Sequence, residues 1–216
     1  MSKTLKLSDD GKTLVKVLDK SAEQITVPAG VEVIGEGAFG GCSKLLGVEL
    51  PDGVKVIGER AFGSCFKLQG INIPESVTTI GKGAFMSCAA LKSINIPGSV
   101  TTIGESAFES CDALKSVDIP NSVTTIGDAA FGDCEALKSV DIPNSVTEIG
   151  FYAFYYCSSL QSIHIHNTNL EELDIDEYAF LNGVNMDECT LYVPAGTKEA
   201  YSNHRVFGKF KKIVEE

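Results

Sequence analysis

Proline recurs every 23 residues, at Pro28, Pro51, Pro74, Pro97, Pro120 and Pro143. Cysteine keeps the same interval at Cys42, Cys65, Cys88, Cys111, Cys134 and Cys157. Glycine does so from Gly35 to Gly150, and an Ala-Phe pair does so from Ala38 to Phe154. Four columns sharing one period through six units confine the chain to a solenoid, in which each unit packs against its neighbours. Units three to five are nearly identical, and the string SVDIPNSVT occurs at Ser116 and again at Ser139.

One unit can be taken from the fifth repeat. Val117 and Ile119 alternate with Ser116 and Asp118, the period-two pattern of a short strand with one buried face. Pro120-Asn121-Ser122 ends the pairing with a turn. Val123-Thr124-Thr125-Ile126 opens a second extended piece with its valine and isoleucine inward. Gly127 marks a sharp turn or a close approach to the next unit. Ala130, Phe131, Cys134 and Leu137 then stand on one face of a short helical turn, with Asp128 as its cap. The fold expected is a repeat solenoid of short parallel strands and short helical turns, α/β by content. A single unit cannot bury its own apolar side, so stacking supplies the core.

The consensus L-x-S-[IV]-x-I-P-x-S-V-T-x-I-G-x-x-A-F-x-x-C, clean over residues 25–163, resembles the BspA-like leucine-rich repeats of bacterial surface proteins. The tail CTLYVPAGTKEAYSNHRVFGKFKKIVEE is similar to the terminal segment of that family. The resemblance implies a leucine-rich-repeat solenoid that acts in adhesion or binding of host proteins. It does not imply a particular partner, because fold and function separate.

The expected organisation is one continuous domain: an N-terminal cap over residues 1–24, six repeats over 25–163, and an irregular last repeat with a C-terminal cap over 164–216. Asp10-Gly11 reads as the turn of a capping hairpin. At the other end Tyr178-Ala179-Phe180 restores the Ala-Phe slot after an insertion of three residues, Leu191-Tyr192-Val193-Pro194 imitates the strand-and-proline step, and residues 195–216 read as a helical closing segment.

The cysteine column reads as a buried, reduced ladder. Equivalent side chains on adjacent units project in parallel, so neighbouring sulfurs do not turn toward each other and cannot converge on a tetrahedral metal. Free cysteine is a small hydrophobe that fills a gap too narrow for leucine. Cys189 lies off the period, and the sequence leaves its state open. His164 and His166 alternate on one strand as a two-ligand seed, but exposed strand histidines are the expected reading. Without a nucleophile elbow, a phosphate loop or a histidine beside the cysteines, the chain is expected to be neither an enzyme nor a cofactor or metal carrier.

A formal net charge of -11 opposes binding to nucleic acid. No apolar run reaches membrane-spanning length. MSKTLKLSDD has no apolar h-region, so the chain is expected at the cell surface or outside it if an export signal was removed, and in the cytoplasm if it is complete. The function expected is a non-enzymatic, adhesin-like binding module with a protein or glycan partner; the alternative is a structural spacer or consensus-like scaffold. The candidate face is the outward strand column, with Asn72, Asn95, Ser116, Asp118, Ser139, Asp141 and His164. A second candidate is the set Phe151, Tyr152, Tyr155 and Tyr156, aromatic where other units are small or polar; its place beside the C-terminal segment leads us to expect it beneath the cap.

Overall fold

The computed structural model describes residues 4–216 and is a solenoid whose rungs stack in parallel. The second extended piece of each rung adds a two-residue strand to a nine-stranded sheet that runs from the N-terminal hairpin to Asp174–Ile175. That hairpin pairs Leu5–Leu7 with Thr13–Val17 in antiparallel fashion around Gly11 at φ 73°. The first strands build a second ladder in two pieces: Gln24–Thr26 pairs with Gly47–Glu49, and a six-stranded sheet runs from Ile94–Asn95 to Lys212–Glu215. Register is one rung to one rung: Val117 faces Ile94 on one side and Val140 on the other.

The inward columns are those of the repeat. Seven phenylalanines from Phe39 to Phe180 form one stack, with successive centroids 4.6–5.4 Å apart and planes within 18° of parallel. The offset-stacked arrangement suits rings whose faces are electron-rich. All seven cysteines are free and buried. The thiols do more than fill space: Cys111 Sγ donates to the Phe85 carbonyl of the preceding rung at 3.4 Å, and Cys134 Sγ to Phe108 O at 3.3 Å. Burial pushes the Cys65 and Cys157 thiols up to about 12 and Cys189 to about 11.

Between Gly127 and Leu137 the apolar face is as the spacing requires, but the backbone is a run of turns and not a helix. Ala130 N donates to Gly127 O at 3.2 Å and Gly132 N to Ala129 O at 3.0 Å, whereas Ala129, Phe131 and Asp133 donate to the next rung at 2.8 Å each. Alternate amides thus serve their own turn and their neighbour, which a helix could not do. Asp128 does not cap its own turn; its Oδ1 accepts from Phe151 N on the next rung at 2.8 Å.

The glycine column answers to close approach. A Cβ on Gly127 would lie 2.8 Å from Glu105 N and 2.9 Å from Gly104 C, both backbone. Gly127→Ala is therefore expected to cost about 1–3 kcal/mol, the usual effect of overpacking. Urea unfolding checks it; a neutral result would mean that the corner has room.

The closing segment is also not wholly helical. After the helix Lys198–Asn203 and a single 3-10 turn at Phe207–Lys209, Lys212–Glu215 joins the six-stranded sheet as its last strand, pairing Ile213 with Leu191. Tyr201, Val206, Phe207 and Phe210 are the cap core. Tyr201 donates its hydroxyl to Asn167 O at 2.8 Å, and Arg205 donates to Ile175 O at 2.9 Å, the free edge of the nine-stranded sheet.

Candidate functional site

The strand column forms as spaced. Asn95, Asp118, Asp141 and His164 are successive register partners, and Tyr192 and Val214 extend the line. Ser116 and Ser139 form the neighbouring column, continued by Ser162 and Thr190. Asn72 is exposed but lies in a stretch without strand pairing, so the six-stranded ladder begins after it. Part of the face is turned to its own partners. His166 Nε2 lies 2.8 Å from Asp141 Oδ1, so that carboxylate already has a partner within the chain. His164 Nδ1 sits 3.0 Å from Glu216 Oε1, and its ring stacks on Tyr192 with centroids 4.4 Å apart. The two histidines share a strand but serve different carboxylates. Among the described residues no group of three or more His, Cys, Asp or Glu is arranged to hold a metal ion.

The aromatic residues of the sixth rung are not under the cap, contrary to the reading from sequence. Phe151 is 41% exposed and Tyr156 51%, while Tyr152 and Tyr155 are half-buried. The cap fills its interior with Tyr201, Phe207 and Phe210 and leaves this corner open. Tyr178 of the next rung, 40% exposed, completes the patch. Its contacts are continuous: Phe151 to Tyr152 at 3.7 Å, Tyr152 to Tyr155 at 5.2 Å, Tyr155 to Tyr156 at 5.4 Å, and Phe151 to Tyr178 at 5.7 Å. Tyr178 is legible in retrospect, because it precedes its Ala-Phe pair as Tyr152 precedes its own.

The rings are held in place from below. Tyr155 leans back along the solenoid over Gly132, where any Cβ would strike its ring. Its hydroxyl donates to Asp133 Oδ2 at 2.7 Å or Glu109 Oε1 at 3.0 Å. Burial and these two carboxylates push its ionisation well above the ordinary phenol range, so it stays a neutral donor. Tyr152 and Tyr156 occupy left-handed backbone, at φ 59° and 53°. The preceding rung places Ala129 and Asp133 in those slots. Any residue with a Cβ costs about 1–2 kcal/mol there, and Arg60, Ser64, Ser106 and Ser110 in earlier rungs share the conformation.

Beside Phe151 opens a cleft of about 230 Å³ lined by Asp128, Glu148, Asp174, Asp176 and Arg205. Asp176 Oδ1 accepts from Tyr178 N at 2.8 Å, which ties the cleft to the patch.

The family described as BspA type leucine rich repeat region matches in six copies over residues 18–138 and 101–207. Among solved structures, a leucine rich repeat protein of T. pallidum is 32% identical, with a TM-score of 0.71 over 76% of this chain and 83% of that one. A leucine-rich repeat protein from Eubacterium ventriosum is 26% identical, with a TM-score of 0.71 over 83% of this chain but only 48% of its own length. The pneumococcal vaccine antigen PcpA, 22% identical with a TM-score of 0.61, shares the fold over 98% of this chain and 46% of its own. No curated protein matches.

Proposed function

The chain belongs to the BspA-type leucine-rich repeat family, and from that premise we propose that it is a non-enzymatic module, carried on a bacterial surface or secreted, that binds a protein through the aromatic corner of its sixth rung. The observation that carries this reading is an open aromatic cluster, with Phe151 41% and Tyr156 51% exposed, in slots that other rungs fill mostly with small, polar or charged residues. Two tyrosines occupy left-handed positions in a rung where alanine and aspartate serve its neighbour, and both belong to one open patch. The left-handed backbone is common to these slots in the other rungs, so what distinguishes the sixth is its side chains, and a contiguous exposed aromatic patch marks an interaction surface. Clustered tyrosines are also the side chains most enriched at recognition surfaces. No helix among the described residues is long and apolar enough to cross a membrane.

The test compares two double variants by retention on immobilised protein of ligands from extracellular-matrix and host-cell extracts. Tyr152→Gly with Tyr156→Gly should lower retention at least about tenfold, while its stability stays level or rises by up to about 1 kcal/mol as the strain is released. Asp118→Ala with Asp141→Ala should retain as well as the unaltered protein. The opposite ranking would return the site to the strand face, and retention indifferent to both would favour a spacer.

A further inference from the structure

Resting on that reading of the aromatic corner, we infer the chemistry of its occupant: an exposed arginine-bearing segment of a partner protein, its guanidinium lying between the rings of Phe151 and Tyr178 and the carboxylates of the adjoining cleft. The argument is charge complementarity around an apolar centre. On one margin the cleft presents Asp128, Glu148, Asp174 and Asp176 against a single cation, Arg205. That cation donates one of its five N–H groups to the Ile175 carbonyl at 2.9 Å, and the four carboxylates outnumber its single charge. Asp128 and Asp176 are oriented by backbone amides at 2.8 Å each. On the opposite margin Glu109 and Asp133 hold the Tyr155 hydroxyl, so their negative charge sits beside the rings as well.

An open aromatic patch with carboxylates on both sides repels acidic partners and leaves an uncharged one with unmatched desolvation. A guanidinium satisfies both halves. Its flat face stacks on tyrosine and phenylalanine, and its edge donates two hydrogen bonds to a carboxylate. Lysine offers a compact charge without the planar face, and so it should bind less well. The cleft volume is of the order a single side chain needs; Phe151 lines it, and the exposed ring of Tyr178 meets Phe151 edge to face at 5.7 Å.

The probe is a short fluorescein-labelled peptide of arginines alternating with serine and glycine, read by fluorescence polarisation at physiological ionic strength. Its lysine and glutamine counterparts and maltopentaose serve as comparisons. The arginine peptide should bind, the lysine peptide several-fold more weakly, and the glutamine peptide not measurably. Phe151→Ser with Tyr178→Ser should weaken the arginine peptide by about tenfold, consistent with loss of two cation–aromatic contacts. Glu148→Gln with Asp174→Asn should do the same, and Asp118→Asn with Asp141→Asn should change nothing.

Arginine-peptide binding that survives both corner variants would be diffuse attraction to an acidic protein and would overturn the inference. Equal binding of the glutamine peptide, still lost in the aromatic variant, would overturn it too while leaving the patch as the site. Binding of maltopentaose and of neither peptide would make the corner a sugar platform. Loss in the Asp118 and Asp141 variant alone would bring down the patch reading itself.

Discussion

Replacing Phe108 by alanine should destabilise the chain by about 3–5 kcal/mol, the range for removing a large buried ring. Phe108 has no exposed surface and stacks on two rings at once, 5.3 Å from Phe85 and 5.4 Å from Phe131. Its backbone amide also bonds Ala130 of the next rung at 2.8 Å. The hole therefore lies between rungs, where a solenoid holds its nearest-neighbour coupling, and the two halves should begin to unfold separately. Urea unfolding should show a lower midpoint and a shallower slope. Lys115→Ala, an exposed change on the same rung, should stay within about 0.5 kcal/mol. Equal small effects would mean that the inward columns are wrongly assigned.

A steep loss of stability above pH 9 is the second large effect expected. An exposed thiol ionises near 9.0, whereas burial raises Cys65 and Cys157 to about 12 and holds Cys88, Cys111 and Cys134 well above the ordinary value. The folded state then keeps protons that the unfolded state releases. Stability is fully present below pH 9 and falls as pH rises toward the folded value, by about 1.4 kcal/mol per pH unit for each such thiol. Several thiols act together, so the unfolding midpoint should change little up to about pH 9 and drop sharply between about pH 9 and about pH 10.5. Cys111→Ala should be less stable at the lower pH, having lost packing and the bond to Phe85 O. Its stability should nonetheless depend less on pH, and that smaller slope is the readout lysine or tyrosine ionisation would not supply. An unchanged slope would refute the account. At about pH 8 a thiol reagent should find all seven cysteines only after denaturation; fewer in denaturant would reveal a disulfide.

The sequence by itself determined the period, the solenoid, the inward columns of Phe, Cys and Leu and the outward line from Asn95 to His164. Each of these repeats at fixed spacing, and contact between adjacent rungs turns equal spacing in the chain into equal position in space. The family, too, was legible in those columns. What the period could not express was decided by tertiary structure. The turn over Gly127 to Leu137 shares its apolar spacing with a helix, and only the amides bonded to the next rung distinguish the two. Gly127 is required by a neighbouring backbone that sequence spacing does not measure. The aromatic corner is the sharpest case. Whether Phe151 and Tyr156 lay under the cap depended on the course of residues 164–210, where the 23-residue spacing is lost. Tyr201 anchored on Asn167, Arg205 on Ile175, and the final strand beside Leu191 draw that segment over the end of the stack, so the apolar end is covered and the tyrosines at its side are left open.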